Sequence, residues 1–406
     1  MIDRIFRAFQ YRDFRILWMG ACTSSIGTWM QSTAQSWLIY DLSDSTVYLG
    51  LDRFLGEIPI VLLSLFGGVL ADRVNRRYIL LGSQLLQMTC ATIMTVLLVM
   101  GVISKANGRV WPILVLSFFV GIAQAFGGPA YSALVPSLVD KEHLPNAISL
   151  NSIQFNLARV IGPALGGTAL ATIGAAWCFG LNAVSYVAVI FTLLIIRPSF
   201  VPSATTASVF ESMKQGIDFV RKRDAMVPLI GLTFSMTFLA VALLQFLPVF
   251  ARTILHDDEK AFTYLLIASG LGSVAGALVV AAFSKRRGLG KPSLIVLGIL
   301  GLLTTSFAFS HSLLVSLPIV FLCGGALISM FAMVMSMVQS IVPDDMRGRV
   351  MSVYNLALRG GMPLGALAAG YLIPIFSLPT VLAWNGALMV VISIYFWMAH
   401  RDVASL

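Results

Sequence analysis

Apolar runs long enough to cross a hydrocarbon core of about 30 Å recur along the whole chain, separated by short polar or charged breaks. They predict about twelve spans, near 14–40, 46–71, 78–101, 110–135, 145–173, 177–196, 226–251, 261–283, 292–310, 312–342, 350–374 and 379–399. The runs are continuous rather than short and alternating, which excludes a membrane barrel. The runs at 14–40 and 312–342 exceed the bilayer thickness, so these spans should tilt or extend beyond it. The expected fold class is all-α and integral to the membrane.

Composition agrees, with 58% hydrophobic and 11% charged residues and a mean hydropathy of +0.89, far from soluble domains. Of the 27 Lys and Arg residues, 20 fall before the first span, after the last, or in the loops after even-numbered spans. Lys105, Arg109, Arg252 and Lys260 occupy the other side, and Arg53, Arg159 and Arg359 lie within spans. The positive-inside rule then places both termini in the cytoplasm. The net charge of +9 reads as anchoring to an anionic leaflet, not as a nucleic-acid site. No small-residue cleavage pattern follows the first run, so the first span should act as its own insertion signal. Cys22, Cys90, Cys178 and Cys323 fall inside spans with no paired or metal-like spacing. His143, His256, His311 and His400 lie in loops or at span ends. No metal, no cofactor and no catalytic motif is expected: there is neither a phosphate loop nor a GxSxG.

The chain repeats itself. "LVPSLVDKEHLPNAISLNSIQFNLARVIGPALGG" follows the fourth span and "IVPDDMRGRVMSVYNLALRGGMPLGALAAG" the tenth, each with a V-P turn, a charged loop, an early asparagine, and Arg and Pro at one separation. Arg159 and Pro163 correspond to Arg359 and Pro363. Two parallel six-helix halves, 1–196 and 226–406, joined by a cytoplasmic linker at 197–225, are implied. In the linker, Phe210, Met213, Ile217 and Val220 form one apolar stripe, suited to the membrane surface.

"GGVLADRVNRR", between the second and third spans, resembles the cytoplasmic loop signature of the major facilitator superfamily, G-x-L-x-D-R-x-G-R-R/K. Gly68, Leu70, Asp72, Arg73, Arg76 and Arg77 match; Asn75 replaces a glycine, and asparagine best tolerates a left-handed turn. The resemblance implies that Asp72 caps a cytoplasmic contact between helices 2 and 11, with Arg73, Arg76 and Arg77 locking that gate and Gly68 belonging to it. The counterpart "GALVVAAFSKRR" lacks the aspartate and is degenerate. "GPALGG" at 162–167 resembles the core of the exporters' antiporter motif, although close packing alone would also explain it. "FRAFQYRDFRILWMG", "GTWMQ" and "NLARVIGPALGG" together resemble the bacterial drug and siderophore exporters of the enterobactin and macrolide type. That likeness implies the bacterial inner membrane as the location.

A translocation path needs polar side chains in apolar helices. Thr28, Gln31 and Gln35 share a face of the first span, with Trp29 close by; Gln124, Tyr131, Thr237 and Gln245 are similar candidates in the fourth and seventh, and Ser329 and Gln339 in the tenth. The resemblance implies that helices 1, 4, 7 and 10 line the cavity. Each residue could equally serve as an interhelical hydrogen bond. Met330, Met333, Met335 and Met337 offer an adaptable surface for apolar substrates, or simply fill the core.

"LDRFLGEIP", residues 51–59, holds Asp52, Arg53 and Glu57 within a span. Counting from residue 46 at about 1.5 Å per residue, Asp52 lies roughly 9 Å deep and Glu57 roughly 16 Å. Asp52 and Arg53 could snorkel to the outer headgroups or belong to an outer gate; Glu57 cannot reach water that way. Arg359 reaches nearly the depth of Glu57, and Arg159 is the alternative partner. Glu57, supported by Asp52, Arg359 and Arg159, is the candidate for proton coupling, against a static ion pair. The expected function is proton-coupled export of small amphipathic molecules by alternating access, with protons and membrane lipids as the other partners. Lipid or lysolipid transport is the alternative; a membrane enzyme or a channel fits less well, for want of catalytic constellations or charge rings.

Overall fold

A computed structural model describes residues 6–196, 209–257, 259–283, 288–343 and 346–404. Arg4, Arg197, Lys285, Arg286, Arg287 and the side chain of Phe210, all used in the charge and stripe arguments, lie outside the described residues. Twelve long helices carry the fold, and no strand occurs among the described residues. They are α1 (Arg12–Ser43), α2 (Thr46–Arg73), α3 (Arg76–Val99), α4 (Trp111–Leu134), α5 (Leu144–Ile173) and α6 (Ala175–Ile195). After a short helix at Val209–Arg221 come α7 (Met226–Gln245), α8 (Glu259–Phe283), α9 (Gly290–Ala308), α10 (Leu313–Ile341), α11 (Arg347–Phe376) and α12 (Leu378–Ala399).

Ten of the twelve are long and apolar enough to cross a membrane. α1 and α5 are the other two, diluted by Ser, Thr, Gln, Asn and Arg, yet with 32 and 30 residues they are the length of a span. At 1.5 Å per residue α1 is about 48 Å long, so it overruns the hydrocarbon as its sequence predicted. The seventh span does not continue to 251. α7 stops at Gln245, and a second helix, Leu247–Thr253, starts with Pro248 in its first turn, where a missing N–H is harmless.

Contacts divide the chain into two units: Met1–Asp44 with Leu55–Thr206, and Ser45–Phe54 with Ala207–Leu406. The division runs through α2, whose first nine residues group with the second unit. In the first unit α1 packs on α5 and α6, and α3 on α4 and α6. The inner part of α2 crosses α4 at small residues, Gly56 beside Gly121 and Gly67 beside Ala125. In the second unit α7 packs on α11 and α12, α9 on α10 and α12, and α8 on α10 at Gly276 and Gly325. Adding six to each helix number of the first unit reproduces the second. Close approach at small residues substitutes for the hydrophobic effect, which lipid does not supply between helices.

Two features at the helix ends fix the helices locally. Ahead of α1, a 3-10 turn at Arg7–Gln10 docks on the start of α5, the Ala8 N–H donating to Asn146 Oδ1 at 2.9 Å. The Tyr11 hydroxyl donates to Asp140 at 2.6 Å, and that bond raises the phenol's pKa. In the linker, Val209–Arg221 packs on α11, with Val220 buried and Gly216 against the Arg349 carbonyl. Packing on α11 therefore covers part of the linker's apolar stripe.

Candidate functional site

The basic loop after α2 is built from helix ends. Carbonyls of the last turn of a helix lack intrahelical partners and carry the negative end of its dipole, so a cation there is favoured. Arg76 meets this need for α4, Nη1 donating to Ala133 O at 2.8 Å while Nε reaches Ala71 O at 3.1 Å. Arg77 does the same for α6, donating to Leu194 O at 2.8 Å. Asn75 is not left-handed: its φ is −57°, and its side chain caps α3 by accepting from the Arg77 N–H at 3.1 Å. The departure from glycine is thus a helix cap, not a tolerated turn. Asp72 stands 3.9 Å from Arg76, its side chain 49% exposed, and Arg73 is exposed. A Cβ on Gly68 meets nothing within 4 Å, whereas one on Gly67 collides with the Ala125 carbonyl, so Gly67 is the packed glycine of the pair. Arg76→Gln should lower stability by roughly 1–2 kcal/mol, since two charge-assisted bonds to helix carbonyls are lost. Thermal unfolding of the purified variant, followed by reaction of the buried thiols Cys90, Cys178 and Cys323, measures this.

Most of the polar residues expected along the path are committed to neighbouring helices. In the first unit Gln31 accepts from Asn182 Nδ2 at 2.6 Å, and Gln35 donates to Ser117 at 2.9 Å. Thr28 lies 3.2 Å from the Tyr186 hydroxyl, which in turn donates to Gln87. Tyr131 donates to Asn151 at 3.2 Å. Asn182, Tyr186, Gln87 and Gln154, which bonds Ser25 at 2.6 Å, are buried partners that the sequence reading did not single out. Their signal was available as polar residues at helical spacing in α3, α5 and α6.

Two candidates of the first unit differ. Gln124 is partly buried and makes no hydrogen bond among the described residues. Trp29 lies between two residues one turn apart on α5, its ring 5.9 Å from Phe155 and 6.0 Å from the Arg159 guanidinium. Arg159 has no ion pair among the described residues, so its alternative pairing with Glu57 is not formed.

In the second unit Thr237 is 1% exposed and bonds back to Thr233 and Phe234 of its own helix. Gln245 donates to Leu49 O at 3.0 Å, joining the end of α7 to the start of α2. Thr46 donates to Gly370 O at 2.9 Å beside the close approach of Gly50 to Ala366, so three contacts hold the start of α2 within this unit. Met330, Met333 and Met337 are buried and Met335 is exposed, so the methionines do not form one surface. Ser329 is buried, bonding Gly276 O, and Gln339 is exposed. A shallow cavity of about 210 Å³ between α7 and α12, lined by Phe234, Phe238, Leu239, Leu388 and Ile392 with Ser235, is apolar and suits lipid chains rather than a polar solute.

The acidic pair of α2 is placed on either side of the division. Asp52, 9% exposed, belongs to the stretch grouped with the second unit. Arg53 beside it reaches Met362 Sδ at 3.9 Å. Glu57 is half-buried and lies just past Phe54, where α2 passes to the first unit. Arg359 on α11 is exposed. Among the described residues no group of three or more His, Cys, Asp or Glu could hold a metal ion.

Residues 5–403 match the family described as transmembrane secretion effectors. A staphyloferrin A transporter of Staphylococcus aureus is 25% identical over 93% of this chain and 94% of its own. The multidrug efflux pump Tap of Mycolicibacterium fortuitum is 24% identical over 87% and 88%. Among solved structures, a D-xylose-proton symporter superposes with a TM-score of 0.75 at 13% identity, covering 95% of this chain and 97% of that one, which concerns the fold alone. With twelve helices in two repeated sets of six and a family match over nearly its whole length, the chain belongs to the transmembrane secretion effectors of the major facilitator superfamily and is a multi-pass membrane transporter of small molecules, not an enzyme.

Proposed function

We propose that this transporter exports small amphipathic molecules from the cytoplasm in exchange for protons, by alternating access, with both termini cytoplasmic. The observation that carries the coupling is Glu57 itself, a half-buried carboxylate within the apolar helix α2, where an ionisable side chain calls for a reason. A carboxylate whose desolvation and counter-charges change during the cycle can load and release a proton. Arg359 is the counter-charge nominated by the sequence repeat. Substrate contact falls to Trp29 and Gln124 first, because Thr28, Gln31, Gln35, Tyr131, Thr237 and Gln245 are already hydrogen-bonded. Efflux as the direction rests on the relatives and on the GPALGG motif.

Proteoliposomes of the purified chain, carrying an imposed proton gradient and a panel of fluorescent amphipathic cations, neutrals and anions, test the proposal. Substrate movement against its own gradient, abolished by a protonophore, is the expected result. Movement insensitive to the gradient overturns the coupling. Asp72→Asn should leave thermal stability nearly unchanged, since a half-exposed 3.9 Å pair contributes little. The same variant should slow net transport several-fold if Asp72 belongs to the gate. Wild-type turnover in Asp72→Asn removes that assignment.

A further inference from the structure

Arg159 is a cation in the middle of a membrane helix, with no ion pair or hydrogen bond among the described residues. It sits 15 residues from the start of α5 at Leu144 and 14 from its end at Ile173, about 21–22 Å from either. Snorkelling to either interface is out of reach for one side chain. Placing such a charge at the bilayer centre costs at least about 2.5 kcal/mol on insertion scales, and arginines there face a water-filled path or a partner. Its five N–H donors form a planar fork that makes no hydrogen bond among the described residues. The neighbour given by the structure is the Trp29 ring at 6.0 Å, which attracts a cation but accepts no conventional hydrogen bond.

Phe155 meets the ring edge-on, one turn before Arg159 on the same face of α5, and Gly162 lies against the Trp29 Cβ, which brings α1 and α5 close together at this point. The arrangement is a guanidinium fork beside an aromatic face, and an oxyanion is the group that such a fork binds best. An organic carboxylate with an aromatic or flat apolar body meets both parts: two parallel N–H···O bonds to the carboxylate and stacking of the body on Trp29.

We propose that Arg159 and Trp29 form a carboxylate-binding subsite, and that organic anions with a flat apolar body are the substrate class of this transporter. The proposal rests on reading the Trp29 face of the first unit as part of the substrate path. Equilibrium dialysis of the detergent-purified full chain with 2-naphthoate and its neutral isostere 2-naphthamide tests it, with no gradient present. Wild type should bind the acid about tenfold more tightly, the scale of one charge-assisted bidentate contact. Arg159→Gln should bring the acid to the affinity of the amide while leaving amide binding unchanged, and Trp29→Leu should weaken both ligands. Equal or undetectable binding of the two ligands by wild type, or an undiminished preference in Arg159→Gln, overturns the subsite. Should Arg159→Gln not fold, Arg159→Lys carries the comparison: it keeps charge without the fork and should hold only part of the preference, and a full preference rejects the bidentate contact. Proton-driven transport is a separate readout, so loss of coupling with the acid preference intact rejects the proposed mechanism and leaves the subsite standing.

Discussion

Gly162→Val is expected to destabilise the first unit by roughly 1–3 kcal/mol, the range for forcing extra methyl groups into a packed interior. Gly162 lies against the Trp29 Cβ, and an added Cβ would also come within 3.0 Å of the Ile26 carbonyl and 3.1 Å of the Met30 nitrogen. Two of these obstacles are backbone, which cannot swing aside as a side-chain tip can. Gly166, one turn on, is similarly confined, a Cβ there lying 2.8 Å from the Met30 carbonyl. The GPALGG run is therefore the seam between α5 and α1. Gly231 offers the contrast: a Cβ there meets nothing within 4 Å, and alanine is the better helix former. Gly231→Ala should unfold at the wild-type temperature or slightly above it. Thermal unfolding of both variants in detergent, read from exposure of the buried cysteines, measures the difference. Equal melting of Gly162→Val and wild type would show that α1 and α5 separate more easily than their contact implies.

Much of the fold was legible because lipid imposes a single rule on every span: twenty or so apolar residues with all backbone groups paired internally. Eleven of the expected spans lie within a few residues of a helix, and the exception, the break after Gln245, follows from Pro248 inside an apolar run that gives no hydrophobicity signal. The site was less legible for a different reason. Periodicity along one helix says which residues share a face, but not whether that face meets a cavity or another helix. Gln31 finds Asn182 across 151 residues of sequence and Thr28 finds Tyr186 across 158, and neither pairing leaves a trace in the pattern of α1. Thr237 shows the same limit in the second unit: a polar residue on an apolar helix, placed by its fold against Gly361. The charged residues escaped this ambiguity, because burying an ion is costly enough to demand a reason at each position. Arg76 and Arg77 turned out to have that reason in helix carbonyls, which leaves Asp72 and Arg73 as the charged residues of the motif without an evident part in holding the fold.

Glu57→Gln is expected to abolish proton-driven net transport while preserving folding and substrate exchange. Glutamine keeps the length and hydrogen-bonding capacity of the side chain but cannot carry the proton. Only the coupling step should fail. Glu57 is a half-buried carboxylate within the apolar helix α2, where an ionisable side chain calls for a functional or structural reason. A residue that merely holds helices together behaves differently: its loss lowers the unfolding temperature, and exchange falls in proportion to the folded fraction. The decisive measurement compares wild type and Glu57→Gln in proteoliposomes, recording gradient-driven accumulation and gradient-free exchange of one labelled substrate on the same preparation. Proton coupling through Glu57 predicts accumulation by wild type alone and exchange by both. Gradient-driven accumulation by Glu57→Gln at the wild-type rate would contradict it.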